Sequence, residues 1–222
     1  MSRLAVGLLV ALLAASAHAA TVAPVVPCDR PIMVFGEATV LARGVRIPGS
    51  NDLVSRLRVF FRRVCHREPL LEVFAHEHGR LVDDEAAIRD YLGRKPGALV
   101  FVHYPYTDIE SGVSVDALLD AYRRISEACR LNKAICILGG QQPVEALSRE
   151  SEARQLELER RASVLLGSEF LPLYRYFQSE TATRRLMMPL DSGDGRLVND
   201  EGHEALFELY RRHLIESTSA LR

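Results

Sequence analysis

Five short apolar runs, each followed by a segment with helical periodicity, constrain this chain more than any other feature. They lie at 31–35 (PIMVF), 70–75 (LLEVFA), 98–103 (ALVFVH), 134–138 (AICIL) and 170–173 (FLPL). Runs that are apolar at consecutive rather than alternate positions suit strands covered on both faces, which is the condition of a parallel sheet. The intervening segments carry the helical signal. Leu53, Leu57, Phe60, Phe61 and Val64 share one face of a helix whose other sides hold Arg56, Arg58, Arg62 and Arg63. Residues 83–93 place Ala87, Ile88, Tyr91 and Leu92 inward, and Leu118, Leu119, Tyr122, Ile125 and Cys129 mark the next helix. Residues 144–167 read as one long, charge-rich helix with a solvated face. The sustained alternation predicts an α/β fold, a three-layer α/β/α sandwich around a five-stranded parallel sheet. The length of 222 residues fits one domain, and no internal repeat or low-complexity linker divides it.

The N-terminus reads as a secretory signal peptide over residues 1–19. Arg3 supplies the positive charge, residues 4–15 the apolar stretch and Ala17-His18-Ala19 the small-residue cleavage site, so the domain is expected to occupy 20–222. That stretch is too short to span a bilayer, and no later segment is apolar enough to do so. Cys28 lacks a lipobox before it. A secreted or periplasmic destination follows, and an oxidising compartment favours disulfides among Cys28, Cys65, Cys129 and Cys136. Four thiols permit three pairings. Cys129 ends a helix just before the strand holding Cys136, and Cys28 precedes the first strand while Cys65 ends the first helix, which favours Cys129 with Cys136 and Cys28 with Cys65. The formal charge of −1 gives no electrostatic case for nucleic acid. No cofactor motif is present.

The C-terminal stretch 193–214 (GDGRLVNDEGHEALFELYRRHL) runs from a Gly- and Asp-rich loop through Asn199, a good N-cap, into an amphipathic helix with Leu206, Phe207, Leu209, Tyr210 and Leu214 inward. It resembles the last active-site block of the SGNH (GDSL-like) hydrolases, D-G-x-H-x-N-x-x-G-H. Asp194, Gly195, Asn199, Gly202 and His203 fall in register, while Leu197 stands where the resemblance implies the triad histidine. The D-x-x-H at Asp200 and His203 matches a different part of the block. The first strand ends in Gly36-Glu37-Ala38 where the family has G-D-S, so the nucleophile position is Ala38, with Thr39 one residue on. Gly79 matches the glycine that lends an N–H to the oxyanion hole. Pro105-Tyr106-Thr107-Asp108 matches G-x-N-D, with Thr107 replacing the oxyanion-hole asparagine.

In an open α/β sheet ligands bind beyond the carboxyl ends of the strands. Those ends carry Glu37, His76, Glu77, His78, His103, Thr107, Asp108 and Asp194. They are read as polar loop residues facing water, or as a rebuilt site with His76, His78 and His103 as candidates, such as a metal centre using His76, His103 and Glu37 or Asp194. Ala38, Gly79, Thr107, Asp194 and Leu197 are expected around one shallow pocket. The function expected is a non-catalytic binding or accessory role toward a cell-envelope or extracellular glycan. The alternative is an esterase or acetyl-ester hydrolase using non-standard residues. The arginines of the first helix are read as a solvated face or as a patch for an acidic glycan or phosphate.

Overall fold

The computed structural model describes residues 26–104, 106–145, 147–178 and 186–219. The expected signal peptide and Pro105 lie outside the described residues. Strand β1 (Ile32–Gly36) leads to helix α1 (Leu53–Cys65), β2 (Leu71–Ala75) to α2 (Leu81–Arg94), and β3 (Leu99–His103) to α3 (Tyr106–Glu110) and α4 (Val115–Leu131). Then come β4 (Ile135–Gly139), α5 (Arg149–Leu166), β5 (Phe170–Leu171), α6 (Tyr174–Phe177) and α7 (Asp200–Ser219). The strands form one parallel sheet in the order β2-β1-β3-β4-β5.

The continuous apolar runs become strands with two apolar faces. On β3, Val100 and Val102 pack into the cluster under α2, α4 and α5, while Leu99 and Phe101 pack into the one under α1 and α7. Met33 and Phe35 against Ile32 and Val34 on β1, and Cys136 and Leu138 against Ile135 and Ile137 on β4, divide in the same way. This period-two division of a solid apolar run yields three layers, because each face must be covered by helices. Two disulfides close the ends of the layers, Cys28 to Cys65 and Cys129 to Cys136, as the element placement had favoured.

β5 ends at Leu171 rather than at 173, and two helix starts differ from the periodicity. Helix α5 starts at Arg149, with Ser148 as N-cap accepting from Ser151 N–H, rather than at 144. The buried Gln155 amide donates to the carbonyls of Gln141 and Gln142 at 2.9 and 3.0 Å, and Glu145 N–H donates to Gly195 O at 2.8 Å, so this stretch is held as a loop. Helix α2 starts at Leu81, two residues earlier than read, because Asp108 accepts the Leu81 N–H at 2.7 Å. That bond is a cap supplied from another element, and local periodicity carries no trace of it. The register pairs Gly36 with Ala75 and His103, and His103 with Gly139, so all the inner strands end at one level.

Candidate functional site

Directly after β1 the chain turns at Gly36, where an added Cβ would run into the Val40 side chain and lie 2.9 Å from His103 O. Only glycine fits where two strand ends approach so closely. The next residue, Glu37, is buried and turns across the edge to α3. Its carboxyl accepts from Tyr106 N–H at 2.7 Å, Thr107 N–H at 3.2 Å and the Thr107 hydroxyl at 2.6 Å. Burial outweighs these donors and pushes the Glu37 carboxyl up to about 7. Asp108 is fully buried and capped onto α2, and burial pushes it up to about 6 against the pull of the Leu81 and Val82 N–H groups and Arg80.

Ala38, Thr39, Tyr106, Gln141, Gln142, Arg196 and Leu197 line a crevice with Glu37 whose volume is about 10 Å³. A cavity of that size holds about one water molecule. The Arg196 guanidinium lies 4.3 Å from the centre of the Tyr106 ring, a cation–π contact that covers the crevice. Thr39 is buried, and among the described residues no hydrogen bond joins its hydroxyl to a histidine or carboxylate.

The expected pocket therefore forms only in part. Ala38 and Leu197 do meet in it, but Gly79, Thr107 and Asp194 do not line it. The Gly79 N–H donates to His76 O at 3.1 Å, and the Thr107 hydroxyl donates to Glu37. Both groups that the resemblance implies as oxyanion donors are committed elsewhere. Asp194 is an exposed turn residue. Its Oδ1 accepts from Leu197 N–H at 2.8 Å, Arg196 N–H at 2.9 Å and the Ser192 hydroxyl at 2.9 Å. Partial burial raises its pKa, but these donors outweigh burial and hold the carboxyl below its ordinary value.

The D-x-x-H pair serves the joint between α7 and the loop before α1. Asp200 accepts from Arg46 N–H, Arg46 Nε and Asn51 Nδ2. His203 is buried, its Nδ1 3.1 Å from Leu53 N and its Nε2 3.2 Å from Arg43 O. An N–H must meet an unprotonated ring nitrogen and a carbonyl a protonated one, so His203 is the neutral Nε2–H tautomer. Burial holds its pKa below the ordinary value.

The three strand-end histidines do not converge. His76 and His78 are exposed beside the edge strand β2, and the His76 ring meets Phe74 edge-on at 4.9 Å. His103 is fully buried at the end of the central strand, and burial pushes it down to about 3. Its Nδ1 lies 3.1 Å from the Tyr210 hydroxyl, which donates to Val102 O at 3.1 Å. Among the described residues no group of three His, Cys, Asp or Glu side chains is placed to hold a metal ion, so a metal centre built from His76, His103 and Glu37 or Asp194 does not form.

Sequence reasoning missed Arg196, Tyr106, Gln141 and Gln142. Arg196 carried a signal, being a long cation one residue before the key Leu197 position. The glutamines carried none, since they lie between the fourth apolar run and the helix read from 144 and belong to no motif.

No family model and no curated protein sequence matches this chain. Its structure is similar to those of TesA (16% identity, 83% of this chain and 98% of that one, TM-score 0.65) and a GDSL-like lipase from Bacteroides thetaiotaomicron (14%, 89% and 94%, 0.63). It is likewise similar to the acetyl xylan esterase AlAXEase (11%, 82% and 98%, 0.62). The chain has the α/β fold of the SGNH (GDSL-like) hydrolases.

Proposed function

We propose that this chain, built on the SGNH-hydrolase fold, is an exported protein that does not turn over esters and acts as a binding or accessory protein in the cell envelope or outside the cell. The observation that carries the reading is the state of the strand-end edge. Ala38 has no hydroxyl and Leu197 no imidazole, the Gly79 N–H and Thr107 hydroxyl are bonded to His76 O and Glu37, and the remaining crevice is about 10 Å³. Where nucleophile and base are both missing, the residual acceleration in such enzymes, ~10³ to 10⁴-fold over water, comes from the oxyanion hole and substrate binding. Here both of those contributions are weakened as well. A glycan has no room in the crevice as it stands, so a ligand of that size must be held on another face. The arrangement of apolar residues 4–15 and Ala17-His18-Ala19 supports export, as do two disulfides.

A fluorophosphonate, which reacts with activated hydroxyl nucleophiles, tests this reading by intact mass. The wild-type protein is expected to gain no adduct. An adduct mapped to Thr39, abolished by Thr39→Val, would overturn the reading and favour an esterase with a displaced nucleophile.

A further inference from the structure

A feature that the strand-end edge leaves unexplained lies on the outer side of the α1/α7 layer. A groove of about 380 Å³ runs between these helices, lined by Arg56, Phe60 and Arg63 from α1 and by Glu204, Phe207 and Arg211 from α7. Each set recurs at helical spacing, so each helix presents one stripe to the groove. The Phe60 and Phe207 rings meet at its floor with centroids 6.0 Å apart. One end is closed by the ion pair of Arg56 with Glu204, and Arg56 Nε also donates to Asn51 O at 2.8 Å. At the other end Glu208 occupies the Arg211 fork through Nε and Nη2, whereas among the described residues Arg63 makes no ion pair and its neighbour Arg62 lies 3.7 Å from Glu68, so Arg63 is the cation left open there.

We propose that this groove binds a carboxylated sugar chain, a uronate-containing glycan, with a carboxylate on the open fork of Arg63, the remaining amino group of Arg211 as a further donor and sugar rings against Phe60 and Phe207. A planar guanidinium fork matches a carboxylate through two parallel hydrogen bonds, which makes arginine the fitting residue for a carboxylate. The two rings give apolar surface to the C–H face of a sugar, which an inorganic anion would leave unused and an acidic peptide would fill poorly. The volume falls in the range of small-ligand sites. The proposal deepens the binding reading above and rests on it only in needing a ligand outside the strand-end crevice.

Calorimetric titration at low salt tests it on the full mature protein, with tetragalacturonate as probe beside neutral xylotetraose, hexaglutamate and inorganic phosphate. Tetragalacturonate is expected to bind, with xylotetraose and phosphate failing at millimolar concentration. Arg63→Gln and Arg211→Gln should each weaken binding about tenfold. Arg63 is exposed, so its variant keeps the fold, and circular dichroism checks this. Absence of tetragalacturonate binding, or binding unchanged in both variants, would overturn the proposal. Equal binding of hexaglutamate would reassign the groove to acidic peptides. Ester turnover is read in a separate assay, so an active enzyme would refute the non-catalytic reading without touching the groove, and a silent titration would do the reverse.

Discussion

Among single residues Glu37 carries the clearest consequence. Its folded pKa of about 7 lies above the ordinary 4.5, so between these values the folded state holds a proton that the unfolded state has lost. Stability contributed by this group is present below about pH 4.5 and is lost as pH rises through 7, an effect of about 3 kcal/mol. His103, pushed down to about 3, and His203, also lowered, act in the opposite sense. The unfolded chain protonates them below about 6.5 while the folded one does not, so they destabilise the fold as pH falls. Glu37 and the histidines therefore offset each other between about pH 5 and 6.5 in the native protein. Glu37→Gln removes part of one side of that balance, leaving Asp108, which burial also raises, on it, and its urea midpoint should fall more steeply on acidification than the wild-type midpoint. Equal slopes would mean that Glu37 titrates normally. The sequence identified Glu37 as a strand-end carboxylate, but only the fold reveals that its side chain crosses to cap α3. The same limit applies to Thr107, whose hydroxyl was legible as a donor while its acceptor was not.

At the level of elements, His203 is one of the side chains that tie α7 to the start of α1, beside Asp200 and Glu204. His203 satisfies Leu53 N–H and Arg43 O together, both from a segment some 150 residues earlier in the chain. His203→Ala would leave the buried Leu53 N–H without its partner, at a cost of about 1–3 kcal/mol before relaxation, would turn the part-buried Arg43 carbonyl to solvent and would remove a fully buried ring. The expected outcome is a loss of about 2–4 kcal/mol in urea denaturation. An unchanged midpoint would show that water replaces the ring. The apolar runs and helical faces made five strands and the main helices legible, because a buried parallel sheet needs solid apolar segments. The short α3 escaped notice because five residues cannot show a helical period. The starts of α2 and α5 were displaced for a different reason, since Asp108 and Gln155 fix them through contacts distant in sequence.

Taken whole, the molecule keeps the sheet, both helical layers and the strand-end edge of a hydrolase fold, while the groups at that edge are bonded to one another. Asp108 caps α2, Glu37 caps α3, Asp194 closes its own turn and Arg196 covers the crevice over Tyr106. These side chains brace the edge. The position of the edge could be read from strand order and the resemblance, but its closure could not, because a crevice of about 10 Å³ depends on how Arg196 and the two glutamines pack. The most direct measurement is turnover of an aryl acetate by the purified mature protein, beside Ala38→Ser, Leu197→His and the double substitution. The account predicts wild-type turnover indistinguishable from the buffer rate, with activity, if any arises, confined to the double substitution. Wild-type turnover clearly above background that is lost on changing His76, His103 or Glu37 would contradict it.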